Sequence, residues 1–481
     1  MPTLITRQGK GEKLTIQEMD DNLIYLESLS SFKVDQNSNI LIKDFSLNTT
    51  TSGTYNLALG RCSLGSNVTG NYNIALGYNS MVNNYGGCYN IAMGRASLQN
   101  NTTGNYNFAL GKDSLRYNQN GERNIAIGAY SSLYNVTGEG NIAMGSYSLL
   151  YNNGCNNVAL GTGSLLGNST GNFNTAIGFG ALQNNYDGFT NVAIGPFSMS
   201  NNYYGNANIA IGGQSMLSNY SGNANIALGL NALYCNNANL NIAMGPNSLR
   251  NNVTGNANIA LGSNALISNC SGLTNTAIGQ NAMFCNTTGG SNIAIGPFSM
   301  TCNSTGSGNI AVGGSSLSCN SSSCNNIAIG RNSLEYHSNV KPNIAIGYRA
   351  LRGQCGLSTG QDNVSIGTLS LNDNTSGSGN IALGSGSLRV NTAGCNNVSI
   401  GTSSLVSSSV GNYNTAIGFE TQAGNFSGSV ILGAFACASG NNQFAVGSSA
   451  CNSGTVCLES CSSTKTWCVT INGCTQKILL A

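Results

Sequence analysis

The chain has 481 residues, of which only 7% are charged, and a net charge of +2. It offers no basic stripe for nucleic acid, and no run approaches the roughly 18 apolar residues of a membrane span, so neither nucleic-acid binding nor membrane insertion is expected. Length alone would suggest about two to four globular domains, but an internal repeat overrides that prior.

Residues 1–14 read as an extended polar arm. Thr15-Ile16-Gln17-Glu18 is a capping box, and Ile16, Met19, Leu23 and Leu26 stand at a/d spacing, which predicts a helix over 16–29. So short a helix is not stable alone but suits a three-stranded bundle. Twelve of the 34 charged side chains lie in the first 50 residues, so this end differs chemically from the rest. Residues 39–43 and 45–47 predict strands that lead into the repeat.

From 51 to 450 the chain repeats Asn258-Ile259-Ala260-Leu261-Gly262 in 24 copies, and 18 of the 23 intervals between closing glycines are 17 residues. A period this short is one coil of a solenoid. Large residues stand three and one before the glycine, with Ala between them except at Ser365, Ser399 and Ile431. That alternation predicts a strand with its large side chains inside and its alanines, Ala260 among them, outside. Ser, Ala or Thr three after the glycine, then Leu or Met, predict a second short strand. Each coil would then give three large side chains to an internal stack.

Two asparagine columns mark the corners. Asn73 and Asn258 exemplify the position four before the glycine, which is Asn in 22 copies; Asn252 exemplifies the position seven after it, Asn in 19. Stacked amides can bond both the turn backbone and the next coil, and glycines such as Gly262 supply conformations that tight corners need. A strand face held to Ala or Ser over some 400 residues implies a second surface lying close against it. Two further copies of the chain would supply that surface, giving a homotrimer.

The coil between Gly347 and Gly367 is three residues longer, and reads either as a binding loop or as tolerated drift. Beyond 450, two apolar runs flank Asn472-Gly473, a hairpin signal, and hold the single tryptophan, Trp467. An open solenoid end needs a cap; the alternative for Trp467, Asn472 and Gly473 is a receptor-binding tip.

These repeats resemble the YadA-like head repeat, most closely at Val430-Ile431-Leu432-Gly433-Ala434-Phe435-Ala436 and Phe444-Ala445-Val446-Gly447-Ser448-Ser449-Ala450. The resemblance implies a trimeric left-handed parallel β-roll solenoid of about 24 coils, and, for function, surface attachment. Asn-rich 17-residue coils look like those of bacteriophage and large DNA virus fibres. Residues 10–23 resemble an N-terminal segment common in phage tail and fibre proteins, where it tends to lie near the virion end; a plain trimerising helix reads equally well. Bacterial adhesins of this type need a signal peptide, a coiled-coil stalk and a membrane barrel, none of which this sequence shows. The expected function is therefore a structural virion fibre for host attachment, joined through its N-terminus to other virion proteins and reaching a host-surface receptor. A cell-surface adhesin or extracellular filament subunit is the alternative.

No enzyme is expected, and no cofactor or metal. The one histidine, His337, falls in the Asn column; Asp113, Glu139, Asp187, Glu335, Asp362 and Glu420 are scattered over different registers; and there is no CxxC pair among 17 cysteines. Cys285, Cys302 and Cys319 share one register on successive coils. They read either as reduced loop residues or as inter-coil or inter-chain disulfides. Tyrosines cluster in loops (Tyr72, Tyr85, Tyr89, Tyr203, Tyr204, Tyr220) beside Asn amides, as glycan contacts or as lateral packing between chains.

Overall fold

The computed structural model describes residues 32–42, 51–337, 342–447, 466–471 and 474–479. The expected helix over 16–29, with Ile16, Met19, Leu23 and Leu26, lies outside those residues, as do residues 45–47, Asn472 and Gly473. Strands β1 (Phe32–Val34) and β2 (Ile40–Ile42) pair antiparallel, and β2 then pairs parallel with β3 (Leu57–Leu59). From β3 to β26 (Phe444–Val446) each coil gives one three-residue strand to a single parallel sheet. The 24 strands bound 23 full turns, about 110 Å of rod at the spacing of neighbouring strands. Among the described residues there is no helix.

Register never slips. Ile259, Ala260 and Leu261 pair with Thr276, Ala277 and Ile278, and every later step repeats that alignment. Even across the long coil, Ile344, Ala345 and Ile346 meet Val364, Ser365 and Ile366. The extra residues leave the stack as an exposed bulge around Cys355 and Leu357, with Gly353 and Gly356 in left-handed conformations.

The strand faces are the reverse of the expectation. Ala260 and its counterparts from Ala58 to Ala416 are fully buried, while the large residues on either side are only half covered. The two serine substitutions show why the inward position is small: Ser365 Oγ reaches Ser370, and Ser399 Oγ donates to Ser404 O at 2.8 Å, across the narrow interior. The alanine row is therefore core, and it cannot be the surface that a sister chain covers.

The predicted second strand is a turn. Asn264 and Leu266 take φ of 57° and 52°, the left-handed region, on either side of Ala265. That kink does send the leucine inward: Leu64, Met81, Leu98, Leu266 and their equivalents are fully buried. One large side chain per coil, not three, fills the core, beside Ala260 and Ala265.

Gly262 is required by its neighbours. Its φ is +133°, and a Cβ there would sit 2.7 Å from the carbonyl carbon and oxygen of Gly279 in the next coil. The glycine column is thus a line of backbone-on-backbone contact.

Residues Thr466–Ile471 (β27) and Cys474–Leu479 (β28) pair antiparallel with Ile471 opposite Cys474. The pairing fits the expected hairpin, and Trp467 lies in β27 opposite Ile478.

Candidate functional site

The interior is organised by two amide ladders. Asn258 N–H donates to Asn241 Oδ1 (2.9 Å), its Nδ2 donates to Gly272 O (2.8 Å), and its Oδ1 accepts Asn275 N–H (2.9 Å). Asn73 makes the same set with Asn56, Gly87 and Asn90. In the second column Asn252 Nδ2 donates to Asn236 Oδ1 (3.0 Å) and Gly255 O (2.8 Å), and Asn269 Nδ2 donates to Asn252 Oδ1 (2.7 Å). Each amide closes its own corner and binds the neighbouring coil. Along the rod this bonding ties each corner to the coils before and after it.

His337 occupies this second column and is fully buried, and among the described residues no close hydrogen-bond partner stands against either ring nitrogen. It bridges to Ser358, which takes the column position in the lengthened coil. Burial pushes the imidazole down to about 4, against a smaller opposing pull from the Arg352 backbone. Beside it, Arg352 Nε donates to Glu335 Oε2 at 2.6 Å and Nη2 to the Tyr336 hydroxyl at 3.2 Å.

Cys285, Cys302 and Cys319 are free thiols at one register of consecutive coils. Cys285 N–H and Cys302 N–H bond to Thr301 O and Ser318 O of the coil that follows, each at 2.9 Å, so the column is in step. Burial pushes the Cys302 and Cys319 thiols up, with a smaller push from the neighbouring sulfur. Among the described residues no three His, Cys, Asp or Glu side chains gather as a metal-binding group.

The outer surface carries what sequence reasoning missed. The strand residues three and one before each glycine face outward as two largely apolar rows, interrupted by Thr175, Thr276 and Thr415. Most of these side chains are half-buried, and the more open pairs include Ile209 and Ile211 (37% and 41% exposed) and Ile293 and Ile295 (39% and 38%). Together the rows form an apolar stripe along the length of the rod, in place of the isolated patches of about a few hundred Å² usual on a monomer. A hint was available, since Thr175, Thr276 and Thr415 are tolerated in these rows and nothing larger than Ile431 is tolerated in the alanine row.

Tyrosines form ladders on the loops. Tyr55, Tyr72, Tyr89 and Tyr106 stack in sequence with ring centroids 5.0–5.1 Å apart. Tyr117, Tyr134 and Tyr151 form a second stack at 5.1 and 5.0 Å, with planes within 4° of parallel. Tyr186, Tyr203, Tyr204 and Tyr220 make an edge-on and tilted cluster further along. Comparison with protein-family models, curated proteins and solved structures gives no match to this chain.

Proposed function

We propose that the chain forms the shaft of a homotrimeric virion fibre that holds a host surface, attached to the particle through residues 1–50. The observation that carries this reading is the pair of outward apolar rows along the rod. Left in water over 23 turns, such a stripe would drive lateral association of any kind; closed around a common axis by identical copies, it becomes an interior. The resemblance of the repeat to trimeric β-rolls supports three as the number of copies. Because three identical chains present the same set of loops side by side, any weak contact is made three times over and its effective concentration rises. The sparse charge and the neutral Asn, Ser and Thr surface suit a rod whose task is reach rather than chemistry.

Light scattering on the intact chain tests the assembly. The expected mass is three times the 49.4 kDa protomer, and Ile293→Asp with Ile295→Asp should lower it by placing carboxylates in the covered stripe. A monodisperse 49 kDa particle would overturn the reading. Antibody against the shaft should then decorate thin projections on particles in electron micrographs; decoration of cell surfaces alone would favour the adhesin instead.

A further inference from the structure

The second tyrosine ladder stops abruptly, and what replaces its next rung is an open slot. Tyr117, Tyr134 and Tyr151 all lie six residues after a closing glycine; the next residue at that register is Gly167, and the one after is Asn184. One face of the Tyr151 ring is covered by Tyr134, and on the other side the column residue of the next coil is Gly167, which has no side chain. There an open groove of about 350 Å³ is lined by Tyr134, Tyr151, Asn153, Gly167, Ser169 and Tyr186. Tyr151 and Tyr186, two of its lining residues, are each 52% exposed.

The ladder sets the thickness of whatever fits. A fourth ring would sit at the 5.0 Å step already taken between Tyr134 and Tyr151. The polar groups set its chemistry. Asn153 Oδ1 accepts Val136 N–H (3.0 Å), leaving Nδ2 as a donor. Asn184 Nδ2 donates to Asn201 Oδ1 (2.8 Å), and Asn184 Oδ1 lies 3.9 Å from where a Gly167 Cβ would be. With the Ser169 hydroxyl, the slot offers a donor from Asn153 and a group that both donates and accepts, around an aromatic face, and its lining residues carry no charge. Vicinal hydroxyls on an uncharged ring that presents a C–H face match that set, whereas an anion would find no cation to meet it.

We propose that this slot binds one neutral pyranose ring of a surface glycan, stacked on Tyr151 in place of the missing rung. The inference rests on the attachment reading for its biological setting, but its test does not depend on oligomeric mass. Saturation-transfer NMR on the intact chain would use the methyl glycosides of glucose, galactose, mannose and N-acetylglucosamine as separate probes, with phenol as an aromatic control. At least one glycoside should receive saturation through its ring C–H protons. Gly167→Tyr fills the slot with the residue that the three preceding coils carry, at a position whose φ is not left-handed, and should abolish the signal. Tyr151→Ala should weaken binding about tenfold, the loss of one stacked face. Asn100→Tyr adds the same ring at the other end of the ladder, beside Tyr117, and should leave binding intact. Transfer to phenol but to no glycoside, or glycoside binding unchanged in both Gly167→Tyr and Tyr151→Ala, would overturn the proposal while leaving the trimeric shaft untouched.

Discussion

Substituting Asn258 by Leu keeps the number and branching of side-chain heavy atoms and removes the amide, so its cost reports what one rung contributes together with the fit of two bulkier methyl groups. Asn275 N–H loses Asn258 Oδ1, its one acceptor among the described residues, and is fully buried. Gly272 O loses one donor but keeps Asn269 Nδ2 at 2.9 Å, and Asn241 Oδ1 keeps the Asn258 backbone N–H. One orphaned buried donor costs about 1–3 kcal/mol and one lost but replaceable bond about 1 kcal/mol, so the expected penalty is about 2–4 kcal/mol. Asn256, two residues away and exposed, accepts Asn239 N–H at 2.8 Å; Asn256→Ala should cost under about 1 kcal/mol because water replaces it. A solenoid need not unfold in one step, so the decisive assay is local: amide hydrogen exchange at Asn275 alongside the urea midpoint. Exchange at Asn275 should accelerate in Asn258→Leu and not in Asn256→Ala. If Asn258→Leu leaves both the midpoint and the Asn275 protection unchanged, the ladder is decoration and the account of the core is wrong.

Acid should weaken the shaft at His337. Its folded value of about 4 lies below the ordinary 6.5, so the unfolded chain binds the extra proton between those values; the stabilisation is complete above 6.5 and is lost as pH falls toward 4, by about 3 kcal/mol in all. His337→Asn restores the column residue, and comparing the two proteins by thermal melting at pH 7 and pH 4.5 should show a smaller acid loss in the variant; equal losses would refute the assignment. In the cysteine column, stacking puts neighbouring Cα atoms about 4.8 Å apart, within disulfide range, so diamide should form one bond within each chain, always involving the middle residue Cys302. Peptide mapping should find Cys285–Cys302 or Cys302–Cys319 and neither in Cys302→Ser; a bond joining Cys285 to Cys319 in one chain would contradict the register.

The parts of the fold that were legible from sequence are those where a single residue type is imposed by backbone geometry. Gly262 recurs because a Cβ would meet Gly279, and Asn258 recurs because only a short amide can accept one N–H and donate to one carbonyl at that corner. The period, the glycine row and both amide ladders followed from that. What period-2 alternation cannot say is which face is inside. Ile259-Ala260-Leu261 fits either orientation, and the usual preference for burying large residues selected the wrong one, because Leu266 arrives from the opposite wall and leaves room only for a methyl group. Leu266 itself misled in a second way. Its left-handed φ of 52° is unfavourable for an L-residue and is imposed by stacking on the coils beside it, which local propensity does not register. The slot at Gly167 was invisible for a different reason: a missing tyrosine stands out only once the residues six after each glycine are known to form a column.

The inverted strand changes what must hold the protein together. A coil that buries one leucine and several alanines gains little from its interior, and the amide ladders chiefly prevent loss, since their groups would otherwise bond to water. The large aliphatic side chains that would normally make up the deficit lie outside, half covered, in two rows. On the proposed trimer they are covered at the moment of assembly, so winding of the coils and association of the chains are one process rather than two. That coupling also fixes where the rod can vary. A change on the loops, such as tyrosine giving way to Gly167, disturbs neither the ladders nor the stripe, whereas a change at Ala260 or Ile259 disturbs one of them at once. Recognition is therefore expected on the loops, where the sequence drifts from coil to coil, and not on the strands, where it does not.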